Sequence, residues 1–196
     1  VNHEQLRSAI ALIDRANDAD PTTVPWAGVR VPRARLQGER ATWWLEQLTP
    51  QASPEVQVAC RAHHLLRWEL ARSSYPPGRA GYLRWRREQK KRHALALARL
   101  LADVGVDPAS VERAAALVQR VGLGRDPEAQ LVEDSACLAF CEIDLADLVT
   151  RLGSERTIGA VRATAAKVSA AALALMLDAA PPGPARSTIA SALAAD

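Results

Sequence analysis

The feature that most limits how this chain folds is a helical spacing of apolar residues, cut repeatedly by a cap residue, a proline and an acid. Ser53-Pro54-Glu55, Asp107-Pro108 and Asp126-Pro127-Glu128 all open a helix in this way, because the side chain caps free amides and proline suits the first turn. No stretch alternates apolar and polar residues as a half-buried strand would. The pattern predicts an all-α, single-domain bundle of about seven helices.

The first helix is expected over His3–Asn17, with Leu6, Ile10 and Ile13 inward, followed by a proline-rich loop from Pro21 to Pro32 that contains Trp26. The others are expected near Ala34–Leu48, Pro54–Arg72, Ala80–Val104, from Pro108 to about Gly122, from Pro127 to about Leu152, and over Glu155–Leu177. Residues 1–178 then form the domain, and the Pro/Ala-rich residues 179–196 form a C-terminal tail. No fixed-period repeat is present.

Composition agrees with close helix packing. Of 196 residues, 48% are hydrophobic but only 4% aromatic, so the apolar content is mostly small and aliphatic. That supports one ordinary core and excludes a disordered chain. No apolar run reaches membrane-spanning length, and Val1–Asp18 lacks a basic segment followed by an apolar one. The expectation is a soluble cytoplasmic protein. Cys60, Cys137 and Cys141 do not form a disulfide framework; Cys137 and Cys141, four apart, could share a metal but read more simply as small buried thiols.

Three clusters carry chemistry. In the first, Arg61, His64, Arg67 and Trp68 share a face at helical spacing, a setting for a metal ligand or an anion contact, or else for a hydrogen-bonded core histidine. The second runs from Tyr75 to His93. Its Arg79, Arg84, Arg86, Arg87, Lys90, Lys91 and Arg92 are answered only by Glu88, and Gly78, Arg79 and Gly81 flank a helix N-terminus suited to phosphate or carboxylate. It reads either as an anion site, with Tyr82 and Trp85 available for stacking, or as a solvated basic face. The third is Glu133-Asp134, adjacent carboxylates inside an apolar helix, which implies a buried ion pair or a ligand and base beside a metal.

The residues Ile13-Asp14, Asn17 and Asp20-Pro21, then Arg61-Ala-His-His64-Leu-Leu-Arg67-Trp68, Tyr75-Pro76, Gly81-Tyr82-Leu-Arg-Trp85-Arg86 and His93, then Gln130, Glu133-Asp134 and Cys137 together resemble domain-of-unknown-function family 4202. The resemblance covers about residues 4 to 175. It implies a helical protein of a bacterial and fungal family with no settled activity; some members carry the label glutamyl-tRNA synthetase, but no nucleotide-binding motif for that activity is present here. His63 and Ala71 depart from the family pattern, and the segment Arg162–Ser169 lacks its tryptophan. More loosely, a histidine, a second histidine and an acid pair on successive helices are similar to HD-type metal hydrolases and their di-iron oxygenase relatives. Ala94 after His93 removes their His-Asp doublet, so Glu133-Asp134 would have to supply the carboxylates.

The expected function is that of a metal-dependent hydrolase for an anionic, phosphorylated or nucleotide-like small substrate. His64, His93 and Asp134 are the expected ligands of a divalent zinc, manganese or iron ion, and Glu133, Arg67 and His63 the catalytic candidates. Arg61, Arg72, Tyr75, Arg79, Tyr82, Trp85, Arg86 and Lys90 are the candidate substrate contacts, with Trp43, Trp44, Trp68 and Trp85 as rigid walls around the charges. The alternatives are a non-enzymatic module binding RNA, a nucleotide or a partner, and an iron-dependent oxygenase. The net charge of +3 gives nucleic-acid binding little support.

Overall fold

The computed structural model describes residues 1–194. In chain order it comprises α1 (His3–Asn17), β1 (Thr23–Trp26), β2 (Val29–Pro32), α2 (Arg33–Leu48), α3 (Pro54–Arg61), α4 (Gly78–Asp103), α5 (Pro108–Gln119), α6 (Pro127–Ile143), α7 (Leu145–Leu152), α8 (Ser154–Ala165), α9 (Ala170–Ala179) and α10 (Pro184–Leu193). The described residues are mostly helical, as expected, but hold ten α-helices rather than about seven. No helix among them is long and apolar enough to cross a membrane.

The expected caps are in place. Asn2 and Gln5 form a reciprocal capping box on α1, Ser53 caps α3, Asp107 caps α5 and Asp126 caps α6. Arg113 of α5 grips both Asp126 and Glu128, fastening the start of α6 to its neighbour. From that anchor α6 runs through the middle of the molecule, packed against α2, α3, α5, α7 and α9. Ile13, Leu45, Leu97, Leu101, Leu117, Leu138 and Met176 fill the space between helices.

Four segments differ from the sequence reading, each for a local reason. The Pro21–Pro32 loop contains an antiparallel hairpin, in which Trp26 pairs with Val29 across Ala27 and Gly28. Both turn residues have positive φ, 47° and 82°, the conformation that matches the twist of paired strands. Two four-residue strands bordered by prolines are too short to show periodicity.

The helix expected to reach Arg72 stops at Arg61. Leu66 takes a left-handed conformation, φ 54°, and its amide donates to Asn17 Oδ1 at 3.2 Å, after which Arg67–Glu69 forms a single 3-10 turn. The helix expected from Pro127 to Leu152 divides at Asp144, and the one expected over Glu155–Leu177 divides at Ala166–Ser169. At the second break Gln130 donates to Lys167 O and Asp134 accepts from Ser169 N, so two side chains of α6 satisfy the interrupted backbone. In the Pro/Ala-rich C-terminal stretch, α10 buries Ala185, Ile189 and Ala192 against the bundle, packing on α7, α8 and α9. Residues 195 and 196 of the expected tail lie outside the described residues.

Candidate functional site

The break after α3 builds the site. With the helix interrupted, the carbonyls of Cys60 and Leu65 become acceptors: His63 Nδ1–H donates to Cys60 O at 2.9 Å, and His93 Nδ1–H on α4 donates to Leu65 O at 2.6 Å. His64 lies between them, its ring centroid 4.2 Å from that of His63 and 6.2 Å from that of His93. All three line one cavity between the segment that follows α3, the helix α4, the end of α5 and the helix α6.

The tautomer of His64 follows from a chain of partners. The Asp144 carboxylate, which accepts from Arg33 at 2.7 Å, can only accept, so the amide nitrogen of Gln37 faces it at 2.6 Å. That turns Gln37 Oε1 toward His64, and the 2.6 Å contact there requires the proton on Nδ1. Each of the three imidazoles therefore donates Nδ1–H to an oxygen and keeps a lone pair on Nε2. His93 Nε2 is buried without a partner. Gln89, one turn before His93 on α4, matches it: its Nε2 donates to Arg67 O and Leu70 O, which leaves Oε1 buried and unpartnered.

Cations supply the rest of the lining. Arg67, Arg86, Lys90 and Arg120 face the cavity against a single carboxylate, Glu133, which Arg120 Nε engages at 3.2 Å. Arg67 rests its guanidinium over the Trp85 ring at 4.6 Å and Arg86 over the Tyr82 ring at 5.8 Å. No carboxylate of the described residues pairs with either of them or with Lys90. Burial pushes Arg67 down to about 10, and burial together with Arg120 pushes Lys90 down to about 8. Burial alone would raise Glu133, but Arg120, Lys90 and Lys167 outweigh it and keep the carboxyl below its ordinary value.

Burial, reinforced by Arg120, holds His63 down to about 3; burial does the same for His93, and burial together with Arg67 keeps His64 well below the ordinary imidazole value. An unfolded chain takes up these protons near pH 6.5 while the folded one does not. Stability is therefore fully present above about 6.5 and falls as the pH drops from there toward 3, by about 1.4 kcal/mol per pH unit for each histidine that differs. Urea unfolding at pH 7 and pH 5 should show the loss, and a flat profile would mean that the rings are solvated.

The structure brings together His63, His64, Arg67, Arg86, Lys90, His93 and Glu133 among the residues expected from sequence, and it places the others elsewhere. Arg61 is committed to Asp14 through two contacts, at 2.6 and 2.7 Å, so the face it was expected to share with His64 and Arg67 does not exist. Arg72 donates to the carbonyls of Tyr75, Pro76 and Gly78, locking the loop that starts α4 rather than facing a substrate. Tyr75 belongs to that loop, and Arg79 is exposed on the first turn of α4 outside the cavity lining. Trp85 supports Arg67 from behind and anchors its own Nε1–H on Leu70 O, while Tyr82 lies at the exposed edge beside Arg86. Trp43 and Trp44 do not back this cavity: Trp43 stacks on Arg40, and Trp44 donates to Glu142.

The expected metal set is not assembled. Asp134 Oδ1 accepts from Gln130 and from Ser169 N, and the residue is absent from the cavity lining that holds His64 and His93. Among the described residues no group of three or more His, Cys, Asp or Glu side chains is placed to hold a metal ion. Four cations facing one carboxylate also make a field that favours an anion over a resident dication. These residues do not fit the divalent ion as a standing part of the site. The three cysteines are free thiols, and burial raises Cys60 and Cys141 to about 12.

Sequence reasoning missed Arg120, Gln89, Gln37 and Asp144. Arg120 sits at the end of α5 in a left-handed conformation, φ 61°, which turns its side chain inward onto Val118 O and Glu133. Its sequence signal was an arginine just ahead of Gly122 and Gly124, easily read as a surface residue of a helix end.

The fold and cavity define a small helical protein built around a cationic, histidine-lined pocket. The chain belongs to the family described as Domain of unknown function (DUF4202), whose model matches residues 7–189. No curated protein and no solved structure matches it.

Proposed function

We propose that the cavity binds a small phosphorylated, nucleotide-like or sugar-like anion and hydrolyses its phosphate ester. The observation that carries this reading is the unmatched charge: Arg67, Arg86 and Lys90 converge with Arg120 on a partly buried space whose one carboxylate is already engaged. Buried cations without counter-charges are costly, and an anion with several oxygens relieves all of them at once. Arginine and lysine are also the side chains that hold phosphate and stabilise charge developing on a transferring phosphoryl group.

The neighbouring acceptors narrow the substrate further. His93 Nε2 and Gln89 Oε1 both need a donor, and the phosphoryl oxygens of an ester dianion have none to give. A sugar phosphate or a nucleoside monophosphate carries such a donor, a hydroxyl or N–H close to the phosphate, and it reaches these two solvent-closed atoms only as the lining side chains part around the ligand.

Titration calorimetry with inorganic phosphate and with a nucleoside monophosphate, together with phosphate release from that ester, tests the reading. Both ligands should bind, the ester more tightly. Affinity should fall as the pH rises through about 8, because the free protein loses the Lys90 proton there and with it one positive charge on the anion. Lys90→Met should flatten that dependence. Binding without phosphate release would identify a non-enzymatic binding module, and absence of binding would remove the proposal.

A further inference from the structure

We infer that His64 is a nucleophile, its Nε2 accepting the phosphoryl group to give a covalent phosphohistidine; this rests on the phosphate reading above. Of the three imidazoles, His64 is the one whose position fits. It is less buried than His63 and His93, and unlike His93 Nε2, its Nε2 is not sealed from solvent. Its Nδ1–H is fixed by Gln37, which is in turn fixed by Asp144, so the nitrogen carrying the lone pair is defined by the protein rather than shared between tautomers. The other two rings donate to single backbone carbonyls. As the ring gains positive charge on forming a bond to phosphorus, the Asp144–Gln37 chain behind it stabilises that charge, while Arg67, which lines the same cavity as His64, holds the phosphoryl oxygens.

The steps balance without any further reactant than water. The Nε2 lone pair forms the nitrogen–phosphorus bond as the ester oxygen–phosphorus bond breaks, and the Lys90 ammonium gives its proton to the departing alcohol. Water then attacks phosphorus and passes a proton to the Lys90 amine, and the nitrogen–phosphorus electron pair returns to Nε2. The products are the alcohol and inorganic phosphate, with His64 neutral and Lys90 charged as at the start.

The test uses the full chain and phosphoramidate, a small phosphoryl donor, with quenching in alkali, where phosphohistidine survives and acyl phosphates do not. The expected result is a mass gain of one phosphoryl group that maps to His64 by peptide sequencing. It should form at least about tenfold faster in the folded than in the denatured chain, because the pocket concentrates and orients the donor, and excess inorganic phosphate should suppress it. Mapping on the wild-type chain identifies the residue directly, and His64→Gln should lose the adduct while still binding phosphate. An adduct on His63 or His93, or none at all while calorimetry still detects phosphate binding, would overturn the nucleophile and leave the pocket reading intact. Failure to bind phosphate at all would overturn both.

Discussion

Arg67→Met should produce a protein that melts higher and binds phosphate far more weakly. The wild-type guanidinium is buried over Trp85 with no carboxylate partner, so in the free protein it is a charge held out of water with little return. Replacing such a charge by an apolar side chain of similar length gains stability by about 1 kcal/mol or more, and for a chain of this size each kcal/mol moves the melting temperature by about 2–4 °C. Methionine also keeps contact with the indole face. With phosphate bound the balance reverses. Removing one partner of a desolvated charge pair costs about 2–5 kcal/mol, or roughly thirty-fold to several-thousand-fold in affinity. Thermal melts with and without phosphate should therefore cross: the variant is the more stable protein without ligand, and the wild type gains on it as phosphate is added. If Arg67→Met lowers the melting temperature and leaves phosphate affinity unchanged, Arg67 is a structural residue and the anion site lies elsewhere.

The same opposition between stability and binding explains which parts of the molecule were legible in the sequence. The N-terminal caps and helix starts follow local rules, and Ser53, Asp107 and Asp126 cap the helices that their spacing implies. The unread features are places where a tertiary partner replaces a local backbone bond. Asn17 captures the Leu66 amide and Asp134 the Ser169 amide in this way, while Gln37 joins Asp144 side chain to side chain at the division between α6 and α7. Each partner lies thirty-five or more residues away in sequence, and helical periodicity carries no trace of it. The histidines, Arg86, Lys90 and Glu133 were legible as chemistry because their residue types are costly to bury. Asp134 was legible too, but its partner was not, so a backbone anchor looked like a metal ligand. Arg61 shows the same error: its approach to Asp14 depends on how α1 packs against α3, which spacing along one helix cannot reveal.

The interaction hardest to foresee should also have the largest effect on turnover. Gln37→Leu removes the acceptor for His64 Nδ1–H while Asp144 keeps Arg33, so the carboxylate is not stranded. His64 is then free to move its proton to Nε2, which closes the lone pair that faces the phosphate. Where an imidazole in a reacting centre is left in the wrong tautomer, turnover falls by about 10⁴, and a loss of about 10²–10⁴ in kcat is expected here. KM should stay nearly unchanged, because Arg67, Arg86 and Lys90 still hold the anion. Gln37→Glu sets a second carboxyl group against Asp144, so it should recover part of the rate only at low pH, where the two carboxyl groups share a proton and an oxygen still accepts Nδ1–H. Nitrogen NMR of the His64 ring reads the tautomer independently of activity: a protonated Nδ1 and bare Nε2 in the wild type, and a mixture in Gln37→Leu. An unchanged tautomer in the variant would show that Gln37 does not position the ring, and a rise in KM without loss of kcat would assign it to substrate binding instead.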